Sequence, residues 1–129
     1  MSLITKNVAQ DDLMSSFGLR STSSGHSQYS NEAVLHPYSN WRGPVWVIAN
    51  ALACYGLSKQ GQKDQAIELA DAMLSILADD LRSGDGPGWH EAYSSEDGSP
   101  LAAPGFLSWN VLSADLLSNL QNDVDPFAL

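Results

Sequence analysis

The sequence predicts an all-α fold built from antiparallel helical hairpins. Three observations predict it. Val45–Leu57 is a stretch apolar at nearly every position and too long for a buried strand. Ala66, Ala70, Met73, Leu77 and Leu81 recur at steps of three and four, the stripe of a helix packed on one side. A short polar link around Gly61 joins these two stretches, which makes them an αα-hairpin.

The first 43 residues are polar and read as mostly irregular. Within them Ala9–Phe17 has the pattern of a short helix stopped by Gly18. Ser21–Ser27 has loop composition. The first long helix is expected to start near Pro44, because proline suits the first helical turn, and to run to Leu57. It is apolar nearly all round, so burial on most sides is expected. The second helix is expected over Lys63–Leu81, with Asp64, Glu68, Asp71 and Asp79 on its solvated face. Residues Ser83–Gly105 read as one long connection, and connections of that length inside a compact domain are often functional. A third helix is expected over Phe106–Leu120, with Trp109, Leu112, Ser113, Leu116, Leu117 and Leu120 on one face. The tail from Asn122 is expected to fray, apart from Phe127.

Composition removes several classes of function. The chain has 129 residues, one domain's worth, and 43% are hydrophobic. Net charge is −9, and Lys6, Arg20, Arg42, Lys59, Lys63 and Arg82 are scattered. Nucleic acid and anionic membranes need clustered cations, so neither is expected as a partner. No stretch approaches the roughly 20 apolar residues of a membrane span, and Asn50 breaks the longest apolar region. The N-terminus has no secretory apolar core, so a cytoplasmic location is expected. Cys54 is the single cysteine, which excludes an internal disulfide and a multi-cysteine metal site. In its apolar setting it reads as packing. His26, His36 and His90 lack metal-ligand spacing, and no phosphate-binding glycine motif or nucleophile elbow occurs, so no metal or cofactor is implied.

Two clusters carry possible chemistry. One is Tyr38-Ser39-Asn40-Trp41-Arg42-Gly43-Pro44-Val45-Trp46. The other is Gly88-Trp89-His90-Glu91-Ala92-Tyr93, followed by Phe106-Leu107-Ser108-Trp109. Both fall on loops at the ends of helices. Flat aromatic faces beside Arg, Glu and Asn suit a sugar ring: the rings cover its C–H face and the polar groups bond its hydroxyls. Glu91, between Trp89 and Tyr93, is the candidate general base. The same residues also fit a plainer role, with tryptophans as core anchors and Arg42 paired to Glu91 or Glu32.

The two clusters, in this order, resemble the C-terminal part of glycoside hydrolase family 63. That family includes processing α-glucosidases and bacterial mannosylglycerate and glucosylglycerate hydrolases, and its catalytic domain is an (α/α)6 toroid. The matching elements are Asn40-Trp41-Arg42-Gly43-Pro44-Val45-Trp46, Asn50, Gly56-Leu57, His90-Glu91-Ala92-Tyr93, Asp97-Gly98 and Phe106-Leu107-Ser108-Trp109. Two positions depart from the family pattern. Asn40 stands where the family has tyrosine, and Leu107 separates Phe106 from Ser108.

The resemblance implies a partial (α/α)6 toroid. A full toroid of twelve helices needs at least about 200 residues, at roughly 12 per helix and 5 per connection. It also implies an inverting glycosidase mechanism with Glu91 as the general base. Trp41, Arg42 and Trp109 would line the sugar subsite, with Tyr38, Trp89 and Tyr93 added from proximity. No part of the chain resembles the surroundings of the family's acid aspartate. The expectation is therefore a C-terminal portion of a toroid, silent alone. Its partners would be a carbohydrate and either a second copy or a missing N-terminal part of the toroid. The alternative expectation is a non-catalytic helical module that binds sugar or assembles with a partner.

Overall fold

A computed structural model describes residues 12–32, 34–35, 38–83, 88–105 and 107–128. Three helices form its body: α1 (Val47–Lys59), α2 (Lys63–Ser83) and α3 (Ser108–Gln121). Each packs against the other two. Three small antiparallel hairpins gather at the helix ends. They pair β1 (Met14–Ser15) with β2 (Gly18–Leu19), β3 (Val34–Leu35) with β4 (Tyr38–Ser39), and β5 (His90–Tyr93) with β6 (Pro100–Pro104).

The core lies between the helices. Ala51, Cys54 and Leu57 of α1 meet Leu69, Ala70, Met73 and Leu77 of α2 and Leu117 and Leu120 of α3. Burying each large aliphatic side chain contributes about 1.5–3 kcal/mol, so these contacts set the helix packing. The hairpin of α1 and α2 turns at Gly61, whose φ of +77° falls where glycine is favoured. Asp64, Glu68, Asp71 and Asp79 all face solvent.

Several expectations need correction. The proposed helix over Ala9–Phe17 lies partly outside the described residues, and its described end is the β1–β2 hairpin. There the Ser15 hydroxyl donates to the Gly18 carbonyl at 2.7 Å and accepts from the Phe17 N–H at 3.1 Å. Such local side-chain bonds offer the backbone an alternative to helix. Gly18 has φ +126°, a backbone that favours glycine, and its bare Cα lies close against Met73 of α2.

Helix α1 begins at Val47, not at Pro44. Val45 is held in extended backbone: its N–H donates to the Tyr93 carbonyl at 2.8 Å, and the Tyr93 N–H returns a bond at 3.0 Å. Val45 also bridges Arg20, so it joins the N-terminal segment to β5. The connection expected over Ser83–Gly105 contains the β5–β6 hairpin. Residues 84–87 of that stretch are outside the described part.

The inward faces of two helices are rotated from the expected stripes. On α2, Asp80 is buried and Leu81 is exposed. On α3, Asn110, Ser113, Leu117 and Leu120 face in, while Leu112 is 72% exposed. Asn110 is held inside because its amide donates to the His90 carbonyl at 2.8 Å. Helix α1 buries one face only, and Leu52 on the other side is 60% exposed. The tail is anchored rather than frayed. Asp125 pairs with Lys59, Asp123 pairs with Lys63 at 2.8 Å, and the Phe127 ring meets Tyr55 edge-on at 5.3 Å. Among the described residues no helix is long and apolar enough to cross a membrane.

Candidate functional site

The site is built where three segments converge: 38–46, 88–93 and the first turn of α3. Glu91 lies on β5, and its Oε1 accepts a hydrogen bond from the Ser39 hydroxyl of β4 at 3.1 Å. This bond brings the Glu91 carboxylate to the segment that carries Trp41 and Arg42.

Asn40 makes that segment rigid. It is fully buried, and its amide donates to the carbonyls of Ser30 and Glu32 at 2.9 and 2.8 Å. Its side-chain oxygen accepts from the Arg42 N–H at 2.8 Å. Its backbone carbonyl accepts from the Trp46 indole N–H at 2.9 Å. Where the family pattern has an aromatic, this chain thus has a side-chain amide that satisfies three backbone groups, while the residue's own carbonyl takes the Trp46 indole. Gly43 follows, and a Cβ there would lie 2.3 Å from the Ser30 carbonyl oxygen. The close approach of these two backbones requires glycine.

Three tryptophans form one aromatic group. Trp41 stacks on Trp46 with ring centroids 3.8 Å apart and planes at 8°. Trp109 meets Trp46 edge-on at 6.2 Å. Trp46 is buried, and Trp41 is 45% exposed. One indole is therefore fixed from below while the other presents a ring to solvent. A cavity of about 260 Å³ beside them is lined by Leu19, Arg20, Ser21, Trp41, Trp46 and Asn50. Asn50 braces its floor, accepting from the Leu19 N–H at 2.7 Å and donating to the Leu19 carbonyl at 3.1 Å.

The other expected residues are placed as follows. Arg42 is partly buried and donates to the side-chain oxygen of Gln28. Trp89 packs against the core, with its indole N–H donating to the Leu77 carbonyl at 3.0 Å. Tyr93 is 0% exposed, so its ring lies inside the fold rather than on the loop surface. Only the backbone of Tyr38, in β4, is described. Phe106 is outside the described residues.

Sequence reasoning missed Asp80. Its carboxylate, 3% exposed, accepts from the Tyr93 hydroxyl at 2.7 Å and from the His90 N–H at 3.1 Å. The His90 ring Nδ1 lies 2.9 Å from the same oxygen. Burial, and then the bond to Asp80, raise the Tyr93 phenol above its ordinary range. Asp80 follows Leu77 by three positions, a helical spacing that also fits an inward-facing residue, but the expected stripe ran on to Leu81 instead. Among the described residues no group of three or more His, Cys, Asp or Glu is placed to hold a metal.

The Ser39–Glu91 bond thus links the two sequence clusters on one helical frame. A family model of glycoside hydrolase domains matches residues 2–109, which covers every segment of the site. The chain belongs to that family, the mannosylglycerate hydrolase MGH1-like glycoside hydrolase domains.

Proposed function

We propose that this chain supplies the general-base half of an inverting glycosidase that hydrolyses O-glycosyl bonds, glucosidase- or trehalase-like in its chemistry. Glu91 takes the proton from a water that attacks the anomeric carbon on the face opposite the leaving group. Trp41, Arg42 and Trp109 hold the sugar ring, with Tyr38 beside them. Trp89 and Tyr93 support the site from below. The observation that carries this reading is the Ser39–Glu91 hydrogen bond, which joins the carboxylate to the Trp41–Arg42 segment.

An inverting pair needs a second carboxyl roughly 6.5–9.5 Å away, with water between them. The family's acid aspartate has no counterpart motif in this chain. The isolated chain is therefore inactive, because loss of one member of the pair removes most proton-transfer catalysis. The test is to incubate the chain with α-glucosides and with mannosylglycerate, and to follow tryptophan fluorescence with added sugar. The expected result is no turnover but a saturable fluorescence change. Turnover abolished by Glu91→Gln would overturn the inactivity. Fluorescence unaffected by any sugar would overturn the subsite.

A second reading is a non-catalytic helical module that assembles with a partner. The exposed Leu52 and Leu112 favour it, since solvated leucines on two helices suit a covered face. Light scattering at low concentration separates the two: a stable dimer supports the second reading, and a clean monomer counts against it.

A further inference from the structure

Glu91 is gripped from a place that does not touch sugar. Asp80 on α2 binds the residue before Glu91 twice, through the His90 N–H and the His90 ring. It binds the residue two positions after Glu91 once, through the Tyr93 hydroxyl at 2.7 Å. On the far side of the strand the His90 carbonyl takes the Asn110 amide at 2.8 Å. The Tyr93 backbone is paired in both directions with Val45.

The partner strand adds to this. His90 faces Pro104 and Ala92 faces Leu101, so two residues, Ala102 and Ala103, stand opposite Glu91 alone. Ala102 takes φ +61°, a left-handed backbone rare outside glycine. Bulges of this kind re-aim a side chain beside functional sites. A buried carboxylate contributes little to stability for its own sake, because its desolvation offsets most of its bonds. The bonds of Asp80 to β5, the strand opposite the bulge of β6, are better explained by what they orient.

We propose that Asp80, acting through His90 and Tyr93, is the positioning residue of Glu91. Its carboxylate fixes the turn of β5 at which the Glu91 side chain leaves the strand and meets Ser39. The role assigned to Glu91 rests on the proposed function; the positional coupling does not.

The experiment uses the full chain labelled with glutamate carrying ¹³C at the carboxyl carbon. The chain has four glutamates, Glu32, Glu68, Glu91 and Glu96, so Glu91→Gln assigns the signal. At fixed neutral pH and without sugar, Asp80→Asn is expected to displace the Glu91 signal and leave the other three in place. Ser39→Ala is expected to displace it as well. The double variant is expected to move it by less than the sum, because the two act on one orientation. Tyr93→Phe, which removes one hydroxyl at nearly constant volume, carries the same test if Asp80→Asn does not fold. A Glu91 signal unmoved in a folded variant would overturn the proposal, as would additive displacements. Failure of sugar binding in the parent chain would sink the sugar-site reading and leave this result readable.

Discussion

The indole of Trp41 lies flat on that of Trp46, 3.8 Å away, and only Trp41 reaches solvent. The two tryptophans therefore divide one structural motif between support and presentation. Trp46 is closed on all sides and bonded through its N–H to Asn40. Trp41 is held on one face by that stack and leaves nearly half of its surface in solvent.

This division has a measurable outcome. Trp46→Ala should destabilise the fold by about 3–5 kcal/mol, the usual range for truncating a buried aromatic. Trp41→Ala should cost clearly less, because nearly half of that side chain is already in solvent. The sugar-dependent fluorescence change should nevertheless disappear in Trp41→Ala. Urea unfolding of both variants, read by circular dichroism, checks the first part. Equal losses of stability would contradict the division.

The bulge opposite Glu91 predicts an asymmetry between neighbouring alanines. Ala102 sits at φ +61° and Ala103 does not share that strained backbone. A β-branched side chain at a left-handed position adds to a penalty already about 1–2 kcal/mol. Alanine already bears that penalty, so the cost of Ala102→Val is what the β-branch adds to it, and it should exceed the cost of Ala103→Val. Ala103→Val, at an exposed strand position, should change stability by less than about 0.5 kcal/mol. Thermal midpoints of the two variants give the comparison.

Alkali should unfold the protein through two buried acids. Burial pushes the Cys54 thiol up from 9.0 to about 12. Tyr93 is raised from 10.0 by burial and by Asp80. Each folded group keeps its proton at a pH where the unfolded group has lost it. The unfolded state then binds fewer protons, so stability falls as pH rises. For Cys54 the contribution is intact below about pH 9 and is lost between there and about pH 12. Cys54→Ala should flatten the decline over that window, and Tyr93→Phe should flatten it above pH 10. Denaturant midpoints measured at one-unit pH steps would show this. Identical slopes for parent and variants would rule it out.

The helices were legible because their apolar residues keep a regular period over many turns. The turn at Gly61 and the solvated acids of α2 followed from the same pattern. The β5–β6 hairpin was not legible, because its connecting residues are Ser, Glu, Asp and Gly and its first strand is anchored by Val45, almost fifty positions earlier. No local period encodes such a bridge. Val45 also explains why α1 starts late, since its extended pairing overrides the helix-starting preference of Pro44. In the site, Glu91 and Trp41 stood out by residue type and motif. Asp80 did not, since an acid next to the solvated Asp79 on a helix with four solvated acids reads as surface until its donors from β5 are known. Trp89 and Tyr93 carry sugar-compatible rings, but whether such a ring faces out depends on tertiary packing.

Val45 has one more consequence. Its two bridges reach Arg20 in one direction and Tyr93 in the other. Closing such distant chain segments costs entropy before any contact repays it, whereas the hairpin of α1 and α2 is local. The helices can therefore form while the platform is still open. Trp41 and Trp46 are neighbours along the chain, so the long-range cost of completing the aromatic group falls on the contact of Trp109 with Trp46.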